Sequence, residues 1–173
     1  METRTPKIVF LAIALVAGIY FWSNYAQLPQ VVASHFDAHG HPNGWQTKQM
    51  FFAFFLGAVA IAWLVGFVIP SLIARMPAQM INLPNKQYWL APERKGETLA
   101  ELQRMFGWFG CALLLVVTTA VNYAIGQNLP PASTGVPVLL VTVLVGFAVF
   151  TTAWSLRLIK RFAQVPPHNL SPR

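Results

Sequence analysis

The residues best suited to chemistry lie in one short stretch of the chain. His35, Asp37, His39 and His41 alternate along it. In an extended segment, side chains two apart share a face, so all four would point the same way. Imidazole with carboxylate suits Zn²⁺ or Cu²⁺, and imidazole alone titrates near neutrality and suits a pH sensor. The spacing follows no standard zinc pattern, and Gly40 and Pro42 would bend the strand. The competing reading is a polar loop whose histidines are satisfied by backbone or water. Within the loop, Val31–Asp37 reads as extended and Pro42-Asn43-Gly44 as its turn.

Other candidate groups are more ordinary. Glu97 and Glu101 are one helical turn apart and could share a proton, but at a helix start such carboxylates mainly favour the dipole. Thr98-Leu99-Ala100-Glu101 reads as a capping box. Thr118, Thr119 and Asn122 form the most polar group within an apolar block. Bonding back to their own helix is the plain reading, a substrate contact the sharper one. Cys111, the single cysteine, reads as a small packing residue. No P-loop, His-Glu-x-x-His or serine elbow occurs. No catalytic residue is assigned; whether the chain is an enzyme stays open, with a non-enzymatic role favoured.

The elements that position these residues follow from hydropathy. Over 173 residues, 55% are hydrophobic and only 10% charged, with a mean hydropathy of +0.52. A water-exposed domain carries about 25% charge. The uncharged residues also lie in blocks, and a bilayer core needs ~20 apolar helical residues per crossing. The blocks predict spans at about 8–25, 50–72, 105–125 and 136–156. The last two are parted by the turn-rich segment from Gln127 to Gly135. A signal peptide is the rival reading of the first block. No small-x-small cleavage site follows it, and the bulky Tyr20, Phe21, Trp22 and Tyr25 fit an interfacial belt instead.

The charge balance is +7. Eleven of the twelve Lys and Arg residues flank the N-terminus, the loop after the second span, or the tail, and only Lys48 lies elsewhere. The positive-inside rule therefore places both termini and the second loop in the cytoplasm. No basic stripe or motif points to nucleic acid. No Asp, Glu, Lys, Arg or His lies inside any span, which disfavours an ion-coupled transporter. Small residues at helical spacing mark packing faces: Ala58, Ala62 and Gly66 in the second span, Ala14 and Gly18 in the first, Gly107 and Gly110 in the third.

The two polar loops carry a resemblance. Leu28, Pro29, His35, Phe36, Gly40, Pro42, Gly44, Trp45 and Lys48 in the first loop resemble a pattern of a bacterial membrane domain-of-unknown-function family, shared with the N-terminal part of the SdpI immunity protein. The second loop, Asn82-Leu83-Pro84-Asn85-Lys86-Gln87-Tyr88-Trp89-Leu90 with Pro92, Glu93 and Arg94, is similar to the inner block of stand-alone members. The pattern's proline before His35 is absent here, His39 and His41 are not part of it, and no second membrane segment follows the four blocks. The resemblance implies a four-span member and an immunity-like or signalling role.

Together these readings predict an all-α membrane protein. A single domain, 1–173, would form a four-transmembrane-helix bundle with one structured outer loop and one structured cytoplasmic loop, in a bacterial cytoplasmic (inner) membrane. The expected function is a non-enzymatic binding, immunity or signalling module surrounded by membrane lipid. A peptide or envelope ligand would meet His35, Phe36, Gly40, Pro42, Gly44 and Trp45 outside. A protein partner would meet Asn82, Pro84, Asn85, Tyr88, Trp89 and Arg94 inside. The alternatives are a metal-binding protein or small membrane enzyme built on the outer histidines, and an accessory subunit of a membrane complex.

Overall fold

The computed structural model describes residues 4–37, 39–130 and 138–165. It contains four helices long and apolar enough to cross a membrane: Arg4–Tyr25, Lys48–Ile73, Lys95–Asn128 and Val138–Ala163. In chain order the elements are α1 (Arg4–Tyr25), β1 (Val31–Phe36), β2 (Pro42–Thr47), α2 (Lys48–Trp63), a π-helical segment (Leu64–Val68), α3 (Ile69–Ile73), a 3₁₀ turn (Ala78–Met80), α4 (Lys86–Trp89), α5 (Lys95–Asn128) and α6 (Val138–Ala163). The first three expected spans lie inside these helices. The fourth also continues past its expected end to Ala163, and its first two residues lie outside the described residues.

The helices pack through aromatic and small residues. Toward the hairpin end, Phe21 of α1 stacks on Phe55 of α2 at 4.9 Å, with Leu28, Val32 and Ile125 completing the cluster. Toward the other end, Phe10, Ala62, Phe67, Cys111 and Leu114 form a second cluster. Cys111 donates its S–H to the Pro6 carbonyl at 3.2 Å, so it is a packing residue with a weak bond. The outward faces stay apolar: Leu15, Ile19, Phe54, Ile61, Leu144 and Val149 are all exposed. Such surface is far more than a water-soluble chain tolerates, and it fits a multi-pass membrane protein.

Close backbone approach occurs where small residues meet. A Cβ on Gly110 would lie 2.9 Å from Gly66 Cα and 3.0 Å from the Ala62 carbonyl oxygen. The contact coincides with the π segment, where the Ile69 N–H reaches back to the Leu64 carbonyl. Pro70 has no N–H to return to the preceding turn, so the helix absorbs one extra residue, and the Ser71 hydroxyl donates to the Phe67 carbonyl at 2.6 Å. The expected small face of α1 is only half realised. Ala14 packs on the second cluster, but Gly18 has nothing near its missing Cβ.

The expected capping box does not cap. Helix α5 starts one turn earlier, at Lys95, and Thr98 is buried inside it with its N–H bonded to the Arg94 carbonyl at 3.0 Å. The Arg94 and Lys95 N–H groups both already bond to the Ala91 carbonyl, so the turn is nucleated before Thr98 is reached. The early start lets Leu99 pack on Ile81 and Leu90 of the second loop.

Candidate functional site

The hairpin between α1 and α2 is built from short-range chemistry. Strands β1 and β2 pair antiparallel, Val31 opposite Thr47, Val32 opposite Gln46, Ala33 opposite Trp45, His35 opposite Gly44 and Phe36 opposite Pro42. The register shifts between Ala33 and His35, a bulge at Ser34 that breaks the side-chain alternation. Val32 packs into the core cluster and Ala33 meets Asn128, so both are buried. At the open end the Lys48 N–H bonds to the Gln30 carbonyl at 3.0 Å, and the Thr47 hydroxyl accepts the Met50 N–H, so β2 runs directly into α2 as its cap.

The turn is not at Pro42-Asn43-Gly44, which belongs to β2. It is made by Asp37, whose Oδ1 accepts the backbone N–H groups of His39 at 2.8 Å and His41 at 2.9 Å. Gly40 takes the positive φ, 85°, that closes it. The His41 N–H bond is the largest influence; against an opposing desolvation, and helped by the His39 N–H and the nearby His41 ring, it holds the Asp37 carboxyl below its ordinary range.

The extended arrangement expected for the four metal candidates therefore ends at Phe36. Asp37 and His41 approach at 3.4 Å, and the His39 and His41 rings lie 6.2 Å apart. His35 instead lies against Gly44 and places Nδ1 3.1 Å from the Ser34 hydroxyl. Among the described residues, no group of three or more His, Cys, Asp or Glu comes together as a metal site would require.

The structure does bring His35 to a cavity. Beneath the hairpin, between α2 and α5, lies a crevice of 330 Å³. Ser34, His35 and Gln46 form its polar rim, the buried Phe51 and Phe55 line its apolar depth, and the exposed Phe54 stands at its mouth. Gly44 belongs to this site indirectly: a Cβ there would sit 3.0 Å from His35 Cβ and 3.2 Å from its Nδ1. Glycine leaves room for the ring. The hairpin is fastened over the crevice by Phe36, whose ring meets Tyr123 edge-on at 5.1 Å, and by Asn128, whose amide bonds the Ala33 backbone. Trp45 stays 61% exposed. Thr118 and Thr119 both donate to the Leu115 carbonyl, so they bond back into their own helix.

Residues picked out in the second loop also hold the end of α6. α6 ends with unpaired carbonyls, as every helix does. Asn85 Nδ2 donates to the Phe162 and Ala163 carbonyls at 3.1 and 2.8 Å, and Trp89 Nε1 donates to Phe162 at 3.0 Å. Arg161 lies over the Trp89 ring at 4.3 Å and pairs through two nitrogens with Glu101 at 3.1 and 3.0 Å. Arg94 covers Tyr88 and donates to its carbonyl. Asn85 and Trp89 thus clasp the end of α6, Tyr88 with Arg94 over it packs beside Trp89, and Glu101 is one half of an ion pair. Asn82 and Pro84 remain exposed. The clasp, together with the Pro6–Gly107 contact, puts the basic flanks of α1, α5 and α6 at one end of the helices, opposite the hairpin.

No curated protein and no solved structure matches the chain. Residues 9–61, from α1 through the hairpin into α2, match the family model described as Domain of unknown function (DUF1648).

Proposed function

We propose that the chain is a non-enzymatic binding module of a bacterial cytoplasmic membrane, with its basic end and both termini inside and the hairpin outside. Sidedness rests on the gathering of basic residues at one end. The ligand is an extracellular peptide or envelope fragment carrying an apolar group. The apolar group enters among Phe51, Phe54 and Phe55, and the polar part bonds Ser34, His35 and Gln46. The role is immunity or signalling, as the resemblance implies.

The observation that carries this reading is the crevice itself. Its 330 Å³ lies at the lower end of the range of small-ligand sites, and it pairs an aromatic lining with a few convergent polar groups. Asn82, Pro84 and Asn85 are the exposed members of the expected cytoplasmic partner surface.

The test is photo-crosslinking in living cells from a probe at Gln46, on the rim, against one at Leu56, on the outward face of α2. A peptide or envelope adduct at Gln46 alone supports the reading. Lipid alone at both positions overturns it.

A further inference from the structure

A second set of cavities lies between α5 and α6 at the basic end. One, of 340 Å³, is lined by Arg104 and Trp108 of α5 and by Phe150, Trp154 and Arg157 of α6. Its aromatic wall is fixed: Trp154 Nε1 donates to the Met105 carbonyl at 3.1 Å, and its ring packs on Phe106 and Phe109 at 5.1 and 5.0 Å. At Phe150 this cavity joins an apolar groove of 280 Å³ that runs along both helices past Phe147, Gly146 and Val143. At Arg157 it joins an open basic surface that includes Lys160.

Polar and apolar parts are thus arranged as in a lipid. Cations from two helices meet at one end, two indoles sit where a bilayer interface would, and a hydrocarbon groove leads inward. From Val143 to Trp154 the helix rises roughly 16 Å, close to the roughly 15 Å of one leaflet. Basic pockets between spanning helices on the cytoplasmic side bind anionic headgroups, and guanidinium groups suit phosphate oxygens.

We propose that this cleft binds one anionic phospholipid of the inner leaflet, with its phosphodiester between Arg104 and Arg157 and one acyl chain in the groove past Gly146. The site rests on the membrane reading above but not on the hairpin crevice.

The test uses full-length protein in neutral detergent, with lipid retention read by native mass spectrometry and unfolding temperature by thermal shift. Phosphatidylglycerol should be retained and should raise the unfolding temperature; phosphatidylcholine and inorganic phosphate should do neither. The double variant R104Q/R157Q should weaken phosphatidylglycerol binding by about tenfold, from lost charge-assisted contacts. Gly146→Leu gives a second route should that variant fold poorly. Nothing lies near its missing Cβ, so the side chain should fit and occupy the groove, again weakening the lipid. Gly57→Leu, at an equally open position on α2, should leave binding unchanged.

Equal retention of both lipids, or wild-type binding by R104Q/R157Q and Gly146→Leu, overturns the site. A shift from inorganic phosphate alone equal to that from lipid overturns it in favour of a free anion. A chain that dissolves without detergent would instead sink the membrane reading beneath it.

Discussion

Asn128, in the last turn of α5, pairs with Ala33 of the hairpin as a neighbouring strand would. The Ala33 N–H donates to Asn128 Oδ1 and Asn128 Nδ2 donates to the Ala33 carbonyl, both at 2.8 Å. Nδ2 also bonds the Ala124 carbonyl at 2.7 Å, which fixes the amide in place. One side chain thereby satisfies both polar groups of a buried backbone residue and ties the hairpin to the helices.

Replacing it should loosen the hairpin. Asn128→Ala leaves the Ala33 N–H and carbonyl unpaired at a part-buried site, a cost of about 1–3 kcal/mol. Asn128→Asp keeps the acceptor and loses the donor, so it should fall between. Thermal unfolding in detergent gives the stability, and hydrogen exchange at the Ala33 amide locates the change. Unaltered protection at Ala33 in Asn128→Ala would refute the anchoring role.

The crossing of Gly66 and Gly110 makes a sharper steric prediction. Gly110→Ala places a methyl 2.9 Å from Gly66 Cα, and backbone cannot yield as a flexible side chain can. The helices must part, at about 1–3 kcal/mol by the usual cost of overpacking. Gly126→Ala, on the same helix but with open space at its Cβ, should be neutral or slightly stabilising, since alanine is the better helix former. Equal unfolding temperatures for the two variants would rule out the crossing.

The clasp on α6 should protect that helix end. Asn85→Ala removes two donors to its last carbonyls, and Asn85 also holds a positive φ of 50°. Asn85→Gly relieves the backbone but still lacks the donors. Both should therefore speed proteolysis near Ala163, with Asn85→Gly costing less overall stability. Trp89→Phe, which keeps the ring and loses the Nε1 donor, should cost about 1 kcal/mol. If cleavage near Ala163 were as slow in Asn85→Ala as in wild type, the clasp would carry no load.

Gly44 and His35 should separate binding from folding. Gly44→Ala puts its methyl 3.0 Å from His35 Cβ. The exposed His35 ring can turn away but its Cβ cannot, so the strands must part by a few tenths of an ångström and stability should fall by about 1 kcal/mol. The rim of the crevice would be rearranged, however, and the adduct formed by the Gln46 probe should drop severalfold. An adduct yield equal to wild type would show that His35 does not shape the site.

The helices could be read from sequence because each follows from its own residues: an uncharged block of spanning length is a property of one segment. Pairings between segments were harder. Ala62, Gly66 and Gly110 share a crossing and Gly107 meets Pro6 of α1, yet Gly18, chemically the same, has open space at its missing Cβ; spacing marks a smooth face without saying what meets it. Local preference favours a turn at Pro42-Asn43-Gly44, while Asp37 makes the turn by collecting two N–H groups. Asn128 and the α6 clasp depend on partners 95 and 77 residues away, and no short-range pattern reveals them. Of the second-loop residues that stand out as unusual, Asn85 and Trp89 hold a helix end.

The Asp37 turn should be sensitive to acid, and the sign follows from its depressed carboxyl pKa. The folded turn favours the ionised form, which accepts the His39 and His41 N–H groups. That contribution is present above the ordinary carboxylate range and disappears as pH falls through the lower value of the folded state. The amide resonances of His39 and His41 should thus hold their positions on the acid side of neutrality and shift together once Asp37 protonates. Asp37→Asn keeps an acceptor oxygen and should retain the turn while abolishing the acidic step. Persistence of that step in Asp37→Asn would assign it to another group and remove the carboxylate from the turn's energetics.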